Sequence, residues 1–272
     1  MRQILAVANK EFHDGLRNRW LISITAIFAL MSIGLTYFGA AASGEIGITS
    51  LSTTVASLAS LAVFIIPLIA LLLSYDSFGG EQEAGTLLLL LTYPLSKSQL
   101  VLGKFLGQGG IIALAIFLGF GSSACLLYFQ LEDSAIVATF STFIFSSILL
   151  GLSFTAIAYL ISLSVSEKSK AAGVALIIWF LFALVFDLAL LALLVGVEQG
   201  VSQTGLTQLM MLNPADIFRL VNLAGLDSSD INGALSVAIN ASMSQQTLYF
   251  VLLGWVVLPL SFAILIFKKK TL

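Results

Sequence analysis

Residues Val55–Tyr75 read VASLASLAVFIIPLIALLLSY, twenty-one positions without a single charge. As an α-helix rising about 1.5 Å per residue, the stretch would be roughly 31 Å long, enough to cross the ~30 Å hydrocarbon core of a bilayer. It lacks the apolar-polar alternation of a transmembrane β-strand. Five further runs have the same character: Trp20–Phe38, Phe105–Tyr128, Ala135–Leu163, Ala171–Val195 and Thr247–Phe267. The expected fold is therefore an all-α integral membrane protein with six transmembrane helices.

Composition agrees. The chain has 272 residues, 59% hydrophobic and only 10% charged, with a mean hydropathy of +1.06. A soluble domain carries about 25% charged residues, so no water-facing surface can be assembled from this supply. Twenty-two Gly beside 20 Phe suit helices that approach closely in lipid. No repeat or low-complexity linker divides the chain, and residues 1–272 read as one transmembrane domain. A net charge of −2 excludes the basic footprint of a nucleic-acid binder. One cysteine excludes a disulfide framework, a zinc cluster and a Cys-ligated iron–sulfur cluster. The single histidine, His13, excludes a His-rich metal site.

Basic residues set the expected orientation. With the N-terminus inside, the cytoplasmic segments hold Arg2, Lys10, Arg17, Arg19, Lys97, Lys104, Lys168, Lys170 and Lys268–Lys270, eleven of the twelve Lys and Arg. Only Arg219 falls outside, where Glu45, Glu132, Asp133, Glu198, Asp216, Asp227 and Asp230 also lie. This is the bias of the positive-inside rule, and it places both termini in the cytoplasm. Ala40-Ala41-Ala42 imitates a signal-peptidase site, but the apolar stretch before it exceeds the usual 7–15 residues, so the first helix is expected to be retained. Two long connections remain: a cytoplasmic one over 76–104 and an extracytoplasmic one over 196–246. Function is expected to concentrate there.

Residues 4–19 are too polar to span. Leu5, Ala8, Phe12, Leu16 and Trp20 recur at helical spacing, with Lys10, His13, Asp14 and Arg17 on other faces. That pattern predicts an interfacial helix on the inner leaflet, in contact with membrane lipid.

The cytoplasmic connection reads DSFGGEQEAGTLLLLLTYPLSK over Asp76–Lys97. Its leucine run, Leu87–Leu91, is far too short to cross. Glu81 and Glu83 stand ahead of it, where carboxylates favour a helix N-terminus. Gly85 permits close backbone approach, and Pro94 interrupts the chain soon after. The residues fit a short amphipathic element presented to a cytoplasmic partner, and equally a solvated loop whose leucines rest in the interface.

Glu81-x-Glu83-x-Gly85-Thr86-Leu87, then Leu91-Thr92-Tyr93-Pro94-Leu95-Ser96 and Gly103-Lys104, resembles the loop between helices two and three of ABC-2 type permeases. The interfacial first helix and the six spans match that family's layout too. The resemblance implies a coupling helix docked on a separate ATP-binding cassette ATPase, with Glu81, Glu83, Gly85, Thr86, Leu87 and Pro94 at the contact. It implies ATP and Mg on that partner, no cofactor on this chain, and a second copy of the chain, since six spans make half a transporter. It also implies a bacterial inner (cytoplasmic) membrane location. Leu212-Asn213-Pro214-Ala215-Asp216-Ile217-Phe218-Arg219-Leu220, with the chain's length and long fifth-to-sixth loop, resembles the Nos-type permeases. Those are membrane subunits of the copper-processing ABC complex that matures nitrous oxide reductase, which implies a periplasmic copper-handling partner.

The chemistry available is narrow. No GxxxxGK[ST] phosphate loop is present: Gly103-Lys104 lacks the earlier Gly and is followed by Phe105. The chain is therefore not expected to be an enzyme. Asp187 is the one acid deep inside a span, in its outer half. Such residues mark a pathway or a proton site, or are hydrogen-bonded to a neighbouring Ser or Thr or reached by outside water. It is expected to face the bundle or the dimer interface. Span four carries Thr139, Ser141, Thr142, Ser146, Ser147, Gly151, Ser153 and Thr155, a composition that suits close helix packing, the favoured reading, or the lining of a polar path. In the outer loop, Asn213 is a candidate N-cap with Pro214 at the first helical position, and Asp216 and Arg219 are spaced to pair. A second helix is expected over Ser229–Met243. The two read as a cap whose residues Asn213, Pro214, Asp216, Phe218 and Arg219 contact an extracytoplasmic partner, or as a lid that closes the bundle. Met210, Met211 and Met243 offer thioethers to copper, but no His or Cys lies nearby, and no metal site is expected on this chain. A general exporter of a lipophilic or polymeric substrate, and a membrane scaffold without ATP coupling, stay open as alternatives.

Overall fold

The computed structural model describes residues 2–38, 51–196, 203–223 and 244–270. Among the described residues all regular elements are helical, and six helices are long and apolar enough to cross a membrane. The interfacial helix α1 covers Arg2–Arg17 and span one, α2, covers Trp20–Phe38. Span two is α3 (Leu51–Ser74), followed by two short helices, α4 (Gly79–Glu83) and α5 (Thr86–Thr92). Spans three and four are α6 (Lys97–Leu131) and α7 (Ala135–Ser164). Span five runs through Lys168–Gly196 as α8 (Lys168–Phe180), a π-helical turn (Leu181–Val185) and α9 (Phe186–Gly196). Then come α10 (Gln203–Met210), α11 (Pro214–Leu223) and span six, α12 (Gln245–Lys269).

Span three starts earlier than its apolar run. Ser96 Oγ accepts the N–H of Gln99 at 3.2 Å while Gln99 Oε1 accepts the N–H of Ser96 at 2.9 Å. This reciprocal capping box fixes the helix start, so the expected cytoplasmic loop ends at Ser96 and Lys97–Lys104 form the first two turns of α6. Hydrophobicity marks where a helix enters lipid, whereas capping marks where it begins.

Span four lies at the centre, packed against α3, α6, α11 and α12. Its Ser146, Ser147, Ser153 and Thr155 are buried, and Ser153 and Thr155 return their hydroxyls to carbonyls one turn back, Leu150 and Gly151, at 2.8 Å each. These small side chains are packing surface. Helix α1 lies along the start of α6, where a Cβ on Gly103 would come within 2.6 Å of Val7 Cβ, and one on Gly107 within 2.7 Å of the Ala8 carbonyl oxygen. The Gly103-x-x-x-Gly107 pair is thus the seat of α1. Val7 faces that seat, while Leu5 and Leu16 of the expected apolar stripe remain exposed.

Helix α11 is inserted among α3, α7 and α12, with nine of its ten residues buried, all but Arg219. The preceding helix α10 was not expected from the sequence. The expected helix over Ser229–Met243 lies outside the described residues.

Candidate functional site

The first site is built on the break between α4 and α5. Gly85 sits there with φ +71°, in the left-handed region that favours glycine, so the expected single element is two helices set at an angle by one residue. The start of α4 is held from span four: Ser162 Oγ accepts the N–H groups of Phe78 and Gly79, both at 3.1 Å.

Glu81 then reaches Lys104 on α6, with Nζ 2.7 Å from Glu81 Oε1 and 2.9 Å from Glu11 Oε1 of α1. Lys104 is 2% exposed, and its ammonium also lies over the Phe78 ring. Three helices therefore meet on one buried cation. Glu83 does stand at a helix N-terminus, but not that of its own leucine run. Its Oε1 accepts the backbone N–H of Lys168, the first residue of span five, at 2.6 Å. Lys168 Nζ in turn bonds Asp76 at 2.6 Å.

The rest of the loop is tied as firmly. Lys270 donates to Gln82 Oε1 at 2.9 Å, Lys97 donates to the Lys270 carbonyl at 2.6 Å, and Gln3 donates to the Pro94 carbonyl at 2.6 Å. Thr86 Oγ1 donates to the Glu81 carbonyl at 3.2 Å. Leu87 is buried, leaving Leu88, Leu89 and Tyr93 exposed. Beneath α4 lies a polar cavity of about 550 Å³, lined by Glu11, Ser77, Glu81, Lys104, Gln108 and Lys168 among others. Gln108 joins it to the interior by accepting from the buried Tyr159 hydroxyl at 3.0 Å.

The structure places Glu81, Glu83, Gly85, Thr86, Leu87 and Pro94 together in this loop, and joins to it Lys104, which the sequence offers only as part of the family motif, and Glu11 and Ser162, which no motif singles out. These last three come from different helices, and no local spacing links them.

A second site centres on Asn213. Its Oδ1 accepts the N–H of Ala215 at 3.0 Å, capping α11 behind Pro214 as the sequence indicates. Its Nδ2 donates to the Phe182 carbonyl in the π turn of span five at 3.0 Å and to Asp216 Oδ2 at 3.1 Å. Arg219 Nη1 lies 3.1 Å from Asp216 Oδ1, the pair its spacing predicts, and 2.6 Å from Asp187 Oδ2. Asp187 thus faces the bundle, and its partner is a guanidinium rather than a hydroxyl or water alone. Burial and the adjoining Asp187 carboxylate push the Asp216 carboxyl up from its usual range to about 7.

Asn213, Pro214, Asp216 and Phe218 are buried. They form the inner joint of α11 and present no outward surface; only Arg219 keeps partial exposure. The reason is that α11 is apolar on more than one side. Phe218 packs its ring against Phe143 of span four, and Asn222 donates to Ser146 at 2.9 Å. Met210 is buried among Leu206, Leu220 and Leu248, and the Met211 carbonyl accepts from the Trp255 indole at 3.0 Å.

The comparisons agree with this architecture. A family model described as ABC-2 family transporter protein matches residues 5–272. The chain is 49% identical over 273 residues to the Probable ABC transporter permease protein NosY of Pseudomonas aeruginosa, covering 99% of each chain. It is 50% identical over 274 residues to the protein of the same name from Stutzerimonas stutzeri, again covering 99% of both.

Proposed function

Because this chain belongs to the ABC-2 transporter family, we propose that it is the permease through which a separate ATP-binding cassette ATPase drives a change at the outer membrane face, in the maturation of the copper site of nitrous oxide reductase. The observation that carries the reading is the loop of α4 and α5, which is tied to α1 and to spans three, four, five and six. Glu81 joins it to α1 and span three through Lys104, Ser162 to span four, Glu83 to span five, and Gln82 to the end of span six. A push on the exposed Leu88–Leu89 face is therefore delivered to all of them. ATP and Mg belong to the partner ATPase. Two copies of this chain form the complete permease in a bacterial inner membrane. Both termini lie in the cytoplasm, as the eleven inward basic residues favour.

The copper part of the reading rests on the relatives' name and on the outer-loop motif, with copper handled by a periplasmic partner. Motion reaches that side through α11, which is bonded to span five at Phe182 and Asp187 and to span four at Ser146.

Affinity purification of the tagged chain from its native membranes in mild detergent tests the proposal. Co-recovery of an ATPase and a periplasmic copper-handling protein is expected. Recovery of the ATPase alone would remove the copper assignment, and recovery of neither would remove the coupling assignment.

A further inference from the structure

We propose that Asp187 and Asp216 form a carboxyl pair that holds one exchangeable proton between them, with Arg219 as its fixed counter-charge, on the outer side of the bundle. Arg219 Nη1 contacts one oxygen of each carboxylate, at 2.6 Å and 3.1 Å. Arginine stays charged at all relevant pH, so two ionised carboxylates would leave a net charge of −1 in a site that is largely shielded from water. Two like charges sharing one counter-ion at such distances cannot both ionise freely, and the lowest-cost correction is a proton on the pair. That proton belongs to both residues rather than to either one.

Among the described residues, no other charged group stands ready to balance the site. Of the elements packed against α11, α3 and the π turn carry no ionisable side chain. Span four carries only Tyr159, which sits with Phe78 in the cytoplasmic cluster. Span six carries Tyr249, whose hydroxyl donates to the Thr142 carbonyl, and Lys268 and Lys269 at its far end. Asn213 adds one donor to Asp216 but no charge.

Exposure assigns the entry point. The Asp216 side chain is 1% exposed and that of Asp187 is 34% exposed, so Asp187 is the more accessible end of the pair, through which the proton is exchanged and shared inward. The elevated Asp216 carboxyl described above is consistent with this. Loading and unloading change the charge at the point where the π turn of span five is bonded to α11.

Infrared difference spectroscopy of the full chain in nanodiscs tests the pair without any transport assay. Between acid and alkaline samples, the wild type should lose one protonated-carboxyl stretching band with a midpoint near neutrality. Asp187→Asn and Asp216→Asn should each remove that band from the neutral range. Arg219→Gln, which deletes the counter-charge, should move its midpoint upward by about one pH unit or more. A wild type with no such band, or a band unchanged in both Asn variants, would overturn the proposal. If Asp216→Asn fails to fold, the partly exposed Asp187→Asn decides alone.

Discussion

The Glu83 carboxylate accepts the backbone N–H of Lys168 at 2.6 Å, so the loop after span two holds the first turn of span five. A free helix N-terminus leaves four N–H groups unpaired and carries positive dipole charge. Glu83 answers both, from 85 residues away in sequence. Replacing a capping side chain with alanine costs about 0.5–2 kcal/mol. Glu83→Ala should therefore lower the melting temperature modestly while strongly weakening the response of the partner ATPase to this chain. Glu83→Gln keeps an acceptor oxygen and should retain more of that response. Melting curves beside ATPase rates of the reconstituted complex separate the two effects, and equal ATPase stimulation in all three proteins would refute the coupling role.

Lys104 presents a different problem. Its ammonium is buried between Glu11 and Glu81, and removing one partner from a buried ion network costs about 3–5 kcal/mol, because the remaining charges are left uncompensated. Lys104→Met should be among the most destabilising single changes around the loop of α4 and α5. Adding Glu11→Gln and Glu81→Gln to that background removes the orphaned carboxylates and should recover part of the lost stability. Thermal unfolding in nanodiscs checks both steps; a triple variant less stable than Lys104→Met would show that the carboxylates do other structural work.

Stability should also depend on pH through Asp216. Burial and the adjoining Asp187 carboxylate push its carboxyl up to about 7 in the folded protein from an ordinary value of 3.8, so the folded state holds the proton it shares with Asp187 more tightly than the unfolded state does. The resulting stabilisation is fully present below 3.8 and is lost as pH rises through about 7. Asp216→Asn cannot lose a proton there, so the difference in melting temperature between variant and wild type should change sign in the variant's favour, or move toward it, as pH increases. A difference that is flat across this range would contradict the assignment.

Which of these features could be read in the sequence follows from their range. The six spans were legible because each is a long run without charge, a property that needs no partner. The Asn213-Pro214 helix start was legible for the same reason, since a cap acts within three residues. The Lys104 network was not, because Glu81 and Glu11 lie 23 and 93 residues away. The π turn was not, because Leu181–Val185 contains no proline or glycine to mark it. Whether α11 meets a partner or closes the bundle was left open by the sequence on physical grounds: an apolar short helix looks alike whether it lies in the lipid interface or among other helices. In the structure its polar residues Asn213, Asp216 and Arg219 pair with one another and with groups on span five.

Gly107 offers the sharpest test of how α1 is seated. A Cβ there would fall 2.6 Å from Glu11 Cβ and 2.7 Å from the Ala8 carbonyl oxygen, and the latter is backbone that cannot rotate away. Gly107→Ala must therefore shift α1 off span three, at a cost of about 1–3 kcal/mol for overpacking. The shift also pulls Glu11 away from Lys104, so this variant should resemble Glu11→Gln in its effect on the loop of α4 and α5. Gly121→Ala is the matched control on the same helix, because a Cβ there meets no atom within 4 Å. Limited proteolysis of α1 and melting temperature report the outcome. Increased cleavage within Arg2–Arg17 for Gly107→Ala but not for Gly121→Ala is expected; identical behaviour of the two would mean that α1 does not rest on the Gly103–Gly107 seat.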